Sequence, residues 1–271
     1  LLTHALLTGS SRYLSQWCQG LPALPVGCTY LNFTASHDGI GLRPLEGLLP
    51  KQDVFKMVQL AREFGGEVST RDMNGEEIPY ELNITYFDML KGSFAGTDGF
   101  QLERFITSQT IMMSVEGIPA FYIQSLFGSE NDYEKRQRTG HKRAINRHQW
   151  SLEERRSQIN DYSTKESRIF RELKRRIGIR KKQLAFHPDA TQFTLQLPSC
   201  FFGFWRQSLC RKQSLFVIAN LSRNSVSLDL ARLNLFQNCK WRELLENEII
   251  DDTDGQMELH AYQTVWISND S

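Results

Sequence analysis

An imidazole and a carboxylate stand side by side at His37 and Asp38, directly after the run Tyr30-Leu-Asn-Phe-Thr-Ala-Ser36. Gly39, Gly41, Arg43, Pro44 and Glu46 follow within a few positions. Adjacent imidazole and carboxylate groups are of the kind that carry acid–base or charge-stabilising chemistry. The apolar and aromatic residues before them predict a buried strand over Tyr30–Ala35. The two glycines permit a tight turn or a close approach to a ligand. The strand would then deliver His37 and Asp38 to its C-terminal end, where α/β sheets and barrels place their chemistry. A strand end closed by a His-Asp turn without activity fits the same residues.

The elements that must hold this pair can be read on either side of it. Leu2, Ala5, Leu6, Tyr13, Leu14 and Trp17 recur at helical spacing. Gly9-Ser10-Ser11 either interrupts that helix or starts a second one capped by Ser10 or Ser11. Pro50 opens a helix through Val54, Met57, Leu60 and Phe64, which Gly65-Gly66 stops. The polar segment Glu67–Glu77 carries Asn74-Gly75, so it is a hairpin tip or a mobile loop. Residues 102–113 predict a buried helix ended by Gly117, and Ile118–Ile123 a second buried strand. A long polar loop over 128–150 follows, with Asn131, Asp132, His141, Arg143, Asn146, Arg147 and His148, and then a long helix over 163–185. Helix, strand, helix, strand with a long loop after each strand is the order of a parallel α/β architecture. From Phe186 the pattern becomes short strands parted by turn residues, the signature of a small all-β sandwich. The predicted domains are therefore 1–185 and 186–271.

Composition sets outer bounds. At 271 residues with 40% hydrophobic and 23% charged residues the chain suits one large domain or one with a small appendage, and its net charge of +1 implies no acidic partner. No apolar run approaches the roughly 18 residues that span a membrane. Five cysteines without a Cys-x-x-Cys pair suggest neither a zinc site nor a disulfide framework, and the histidines lack metal-ligand spacing, so no metal is expected. Free thiols and no secretory signal point to the cytoplasm. The first residue is Leu1, within a helical pattern, so the natural N-terminus is expected to lie upstream. About half of all Lys and Arg fall between Lys135 and Lys182. With no nucleic-acid motif and no interleaved aromatics, a solvated helix face is expected there, not a nucleic-acid surface.

The stretch Leu31-Asn-Phe-Thr-Ala-Ser-His-Asp-Gly-Ile-Gly41 resembles the seventh-strand motif of the α-amylase superfamily of glycoside hydrolases (glycoside hydrolase family 13). More narrowly, Ser36-His-Asp-Gly-Ile-Gly-Leu-Arg-Pro-Leu-Glu-Gly47 resembles the sucrose phosphorylase-like subfamily. Pro79-Tyr-Glu-Leu-Asn83 resembles its acceptor-site loop, Gly117-Ile-Pro-Ala-Phe-Tyr122 its eighth strand, and Asn131-Asp132 with Ile145-Asn-Arg-His148 the loop after it.

The resemblance implies the C-terminal portion of a (β/α)8 barrel, about strands seven and eight with flanking helices, followed by a small antiparallel β-sandwich. It implies a retaining transfer of a glucosyl unit to inorganic phosphate from a sucrose-like or glucosylglycerate-like donor, in carbohydrate metabolism. Such a transfer needs a nucleophile and an acid/base about 5 Å apart. In the family these sit on the fourth and fifth strands, outside the matching stretch, so the chain alone is expected to be inactive and to need the N-terminal remainder of the barrel. By the same resemblance Asp38 stabilises the transition state and His37 neighbours it on the sugar. Arg147 binds sugar, unless it is only a surface Arg of a basic loop. Tyr80 and Glu81 are acceptor-side residues or structural loop contacts. Arg43 and Glu46 meet phosphate or an anionic acceptor, or form an ion pair that stiffens the loop. No cofactor is implied. The alternative is a non-catalytic remnant or interaction module of the same fold.

Overall fold

Helical periodicity at the start of the chain folds as two short helices, α1 (Leu2–Thr8) and α2 (Arg12–Gln19), parted at Gly9, whose φ of +69° ends the first. The computed structural model describes residues 1–25, 27–233, 235, 239–253 and 255–269. It divides into two units, one of Leu1–Leu7, Phe33–Ile106 and Phe121–Leu173, the other of Thr8–Asn32, Thr107–Ala120 and Lys174–Ser271. Of the two serines expected to cap α2, Ser11 occupies the N-cap position without a capping bond from its hydroxyl, while the Ser10 hydroxyl accepts from Arg12 N at 3.5 Å.

In the first unit, β2 (Ile40–Gly41) pairs with the hairpin of β3 (Glu67–Met73) and β4 (Glu76–Asn83) in the order β2-β4-β3. The hairpin reading of Glu67–Glu77 is the one realised. Asn74 and Gly75 turn it with φ of +58° and +86°, the twist that suits a tight antiparallel turn. Helix α3 (Lys51–Glu63) buries Met57, Val58, Leu60 and Ala61, with Pro50 at its N-cap. The segment after Phe127 differs from the long loop expected. Asp132 caps α7 (Tyr133–Thr139) by accepting from Lys135 N at 2.8 Å, left-handed Gly140 closes it, and a 3-10 turn follows over Lys142–Asn146. The polar composition that suggested a loop is a short exposed helix with a cap at each end. A further helix, α8 (Leu152–Asn160), precedes α9 (Lys165–Arg180), which is shorter than predicted.

In the second unit, the strand expected over Tyr30–Ala35 is reduced to β1 (Leu31–Asn32), paired in parallel with β7 (Ile118–Pro119), the remnant of the second predicted strand. Neither is buried as expected: Leu31 is 63% and Ile118 47% exposed. A strand hides its side chains only where neighbours cover it, and among the described residues this pair has no further strand beside it. The six-stranded antiparallel sheet lies wholly after residue 186. It includes β9 (Phe201–Gln207), β10 (Ser214–Asn220) and β15 (Thr264–Asn269), with β8 (Thr191–Thr194) outside β9. Beyond β15 lie β12 (Trp241–Glu243) and β13 (Glu248–Ile250), whose three-residue lengths left no alternation to read. A ribbon of β11 (Val226–Asp229) and β14 (Gln256–Leu259) shares one core with this sheet, in which Phe216, Ile218, Trp241, Leu228, Leu259 and Ile267 are buried. The chain is thus mixed helix and sheet with a multi-strand antiparallel sheet toward its end.

Among the described residues no helix is long and apolar enough to cross a membrane, and no group of three or more His, Cys, Asp and Glu side chains is placed to hold a metal ion. The five cysteines are free thiols.

Candidate active site

The His-Asp pair occupies a tight turn within the first unit. Ser36 and Gly39 exchange backbone hydrogen bonds across it, and the Ser36 hydroxyl accepts from Asp38 N at 3.2 Å. Only glycine fits at the fourth position: φ of Gly39 is +123°, and a Cβ there would lie 2.3 Å from the Leu82 carbonyl oxygen. Three side chains hold the carbonyls of this turn. Asn146 Nδ2 donates to Ser36 O at 2.7 Å, Arg147 Nε to His37 O at 2.8 Å and Asn83 Nδ2 to Asp38 O at 3.3 Å. The turn is therefore fixed from two directions, by strand β4 and by the segment after α7.

The Asp38 carboxylate meets two guanidinium groups and an imidazole nitrogen on one oxygen. Its Oδ1 lies 2.8 Å from Arg143 Nη1, 3.2 Å from Arg147 Nη2 and 3.2 Å from His37 Nε2. Among the described residues no hydrogen bond reaches its Oδ2, and the side chain is 37% exposed. The aspartate is held in place yet keeps a free acceptor edge.

Arg143 connects that carboxylate to a second one. Its Nε and Nη2 grip Glu81 at 3.0 and 2.8 Å in a bidentate pair, while Nη1 reaches Asp38. The hydrogen bond that Arg143 donates to Glu81 raises its pKa, opposed by a loss of hydration and helped by the charges of Glu81 and then Asp38. Glu81, on β4 opposite Gly41, also accepts from Asn83 Nδ2 at 2.6 Å, and its side chain is only 8% exposed. Ser69 Oγ in turn donates to Asn83 Oδ1 at 2.7 Å.

Other expected residues lie at varied distances from this cluster. Arg147 is in it, and its own carbonyl accepts from Lys135 Nζ. Tyr80 is half-buried, and its carbonyl accepts from Leu42 N at 2.9 Å. The Glu46 carboxylate pairs with Arg71 of β3 at 3.1 Å, not with Arg43. Arg43 is exposed in the 3-10 turn Arg43–Leu45 and has no ion pair among the described residues. Beside the cluster, Tyr122 donates to Asn146 O at 2.7 Å, and burial pushes its pKa up against the opposing pull of Arg147. His148 Nδ1 lies 2.7 Å from Asp132 Oδ2. Arg143, Asn83 and Asn146 also join this cluster; in sequence they lie within the polar loop and the Pro79–Asn83 stretch, without a role of their own. The one available signal was the four-residue spacing of Arg143 and Arg147 across a turn.

A carboxylate with one edge fixed by cations and the other free can accept from hydroxyl groups of a ligand. It can also stabilise positive charge that develops nearby. The two guanidinium groups, each 40% exposed, can donate further hydrogen bonds beside it.

No family model matches the sequence. The glucosylglycerate phosphorylase of Escherichia coli is 33% identical over 268 residues, which is 98% of this chain and 46% of that protein. That of Spirochaeta thermophila is 29% identical over 99% of this chain and 47% of its own length. The sucrose phosphorylase of Bifidobacterium adolescentis is 29% identical over 57% of this chain and 30% of that protein. The chain thus spans about half the length of the curated relatives it matches from end to end. Among solved structures, sucrose 6F-phosphate phosphorylase from Thermoanaerobacter thermosaccharolyticum covers 96% of this chain and 44% of its own, with a TM-score of 0.67 at 16% identity. AmyP in complex with maltose follows the same course over 67% of this chain, with a TM-score of 0.52 at 10% identity. These likenesses show the fold. By sequence the chain is related along nearly its whole length to glucosylglycerate phosphorylases.

Proposed function

We propose that this chain forms the wall of a retaining glycoside phosphorylase site that steadies the sugar during transfer of an α-glucosyl unit to inorganic phosphate. The donor would be glucosylglycerate-like or sucrose-like. The observation that carries this reading is the Asp38 carboxylate, held on Oδ1 by Arg143, Arg147 and His37 and open on Oδ2. A glycosyl transfer passes through an oxocarbenium-like state, and a fixed negative charge beside the anomeric carbon favours that state over the ground state. Asp38 fills this role and His37 adds a ring nitrogen on the same sugar. Arg147, and with it Tyr80, Arg43 and Glu46, line the sugar and phosphate side. Glu81 is too engaged to serve as nucleophile or acid, because both its oxygens are taken by Arg143.

In this reading β1 and β7 are the seventh and eighth strands of a (β/α)8 barrel. Residues 1–185 belong to that barrel and 186–271 to a β-sandwich domain. The nucleophile and the acid/base come from barrel strands outside the 271 residues, so the chain alone does not turn over substrate. The exposed Leu31 and Ile118 favour one other reading, a non-catalytic interaction module.

The test is to read the coding sequence upstream, express the joined protein and assay phosphate-dependent cleavage of glucosylglycerate and sucrose. The joined protein is expected to cleave one of them, and the 271-residue chain neither. A joined protein inactive on both, or an isolated chain with phosphorolytic turnover, overturns the proposal.

A further inference from the structure

The segment from Asp132 to His148 holds the Asp38 turn from one side: Asn146 and Arg147 reach its carbonyls, and Arg143 reaches the carboxylate. These side chains can fix the turn only if their own backbone is fixed. The segment packs little for itself. No residue of α7 is buried, and in the remainder only Ala144, Ile145 and Asn146 are. A segment with so few buried contacts opens easily unless polar ties close it.

The ties gather at Asp132 and His148. Asp132 N donates to Ile145 O at 2.8 Å, and Lys135 Nζ donates to Arg147 O. Asp132 uses its two carboxylate oxygens separately: Oδ1 caps α7, and Oδ2 lies 2.7 Å from His148 Nδ1. An ionised carboxylate only accepts, so Nδ1 carries the proton and donates it, which sets the orientation of the ring. Trp150 lies against that ring with centroids 5.4 Å apart, and the Arg155 guanidinium lies 3.8 Å from the Trp150 centroid. Nε and Nη1 of Arg155 make no hydrogen bond among the described residues, so this cation acts as a stacking plate. On the main chain, His148 O accepts from Gln124 Nε2 at 2.8 Å. The residue after Arg147 is thus pinned through both its side chain and its carbonyl.

We propose that His148 is a positioning residue for the transfer at Asp38: clasped by Asp132, it fixes the backbone from which Arg147 reaches the Asp38 carboxylate. An arginine side chain that is 40% exposed samples several rotamers unless its Cα and its partners stay in place. With the clasp closed, Arg147 Nε stays on His37 O and Nη2 on Asp38 Oδ1, and the other carboxylate oxygen keeps a fixed direction. The imidazole touches no substrate in this role. The proposal rests on the function assigned to Asp38.

The test uses the joined protein and two substitutions that differ in where they place an amide. Asparagine brings its Nδ2 close to the place of Nδ1 and can still donate to Asp132, whereas glutamine brings its amide nearer the place of Nε2. His148→Gln is expected to lower kcat about tenfold or more, as small misplacements at a site do. KM for the donor should stay within about threefold of the parent, because the affected contact matters in the transition state. His148→Asn should keep most of the parental kcat. In an Arg147→Lys background His148→Gln should cost little more, because it acts through Arg147. Hydrogen exchange read by mass spectrometry gives a measure besides activity: His148→Gln should speed exchange of the amides of residues 36–39 about tenfold, and His148→Asn should not. Parental kcat in His148→Gln, equal losses in the two variants, full additivity with Arg147→Lys, or unchanged exchange at residues 36–39 overturns the proposal. If His148→Gln does not fold, His148→Asn alone decides, and lost kcat with faster exchange overturns it. A parent inactive on both glucosylglycerate and sucrose overturns the reading of Asp38 instead, and the exchange comparison still judges the clasp.

Discussion

At Asp38 the arrangement matters more than the residue type. Asp38→Asn keeps the size and most hydrogen bonds but removes the charge. In an active joined protein it is expected to lower kcat by about 10²–10³, the scale seen for loss of one preorganised electrostatic group. Circular dichroism should show an unchanged fold, and turnover within about threefold of the parent would contradict the role. Gly39→Ala acts on folding instead: a Cβ 2.3 Å from Leu82 O at a φ of +123° should cost on the order of 3 kcal/mol. Urea unfolding of the 271-residue chain reads this directly, and a loss below about 1 kcal/mol would mean that the turn relaxes. Arg143 is the joint between two carboxylates. Arg143→Met leaves the nearly buried Glu81 without its bidentate partner, so it should lower Tm. Adding Glu81→Gln should recover part of that loss, because the stranded charge is then gone. The motif made Asp38 and Arg147 legible in sequence. Beyond its four-residue spacing from Arg147, Arg143 carried no sign of its partners, because positions 38 and 81 come together only through the pairing of β2 with β4.

Elements were legible where one segment carried its own signal. Asn74-Gly75 specified the hairpin, and Gly65 stopped α3. Helix α7 was hidden because its evidence lies in its caps, Asp132 and Gly140, and not in an apolar stripe: none of its residues is buried. The two predicted barrel-like strands came out two residues long because their length depends on neighbours, which no local pattern encodes. The N-terminal helices add a pH dependence. His4 of α1 is buried, and burial lowers its pKa from 6.5, with the 3.1 Å hydrogen bond to Asp53 of α3 opposing the shift. The unfolded chain therefore takes up this proton first as pH falls. The contribution of His4 to stability is complete above pH 6.5 and declines as pH drops toward the folded pKa. Tm measured across this range should fall more steeply for the parent than for His4→Gln. Parallel slopes would show that His4 does not couple to folding.

For the molecule as a whole, the relatives set the scale: the chain matches about half of each glucosylglycerate phosphorylase that it follows from end to end. The antiparallel sheet after residue 186 was legible because its strands bury one continuous core. The bare β1–β7 pair was not, because sequence alone cannot show which strands are covered. The hairpin of β3 and β4 has a different consequence. Near its base it holds Ser69, Glu81 and Asn83, on which the Asp38 turn rests, while residues 72–77 at its tip are exposed. That separation makes the tip a graft point: a fluorophore, an affinity peptide or a crystallisation partner inserted between Asn74 and Gly75 would ride outside the site and give a handle for immobilisation.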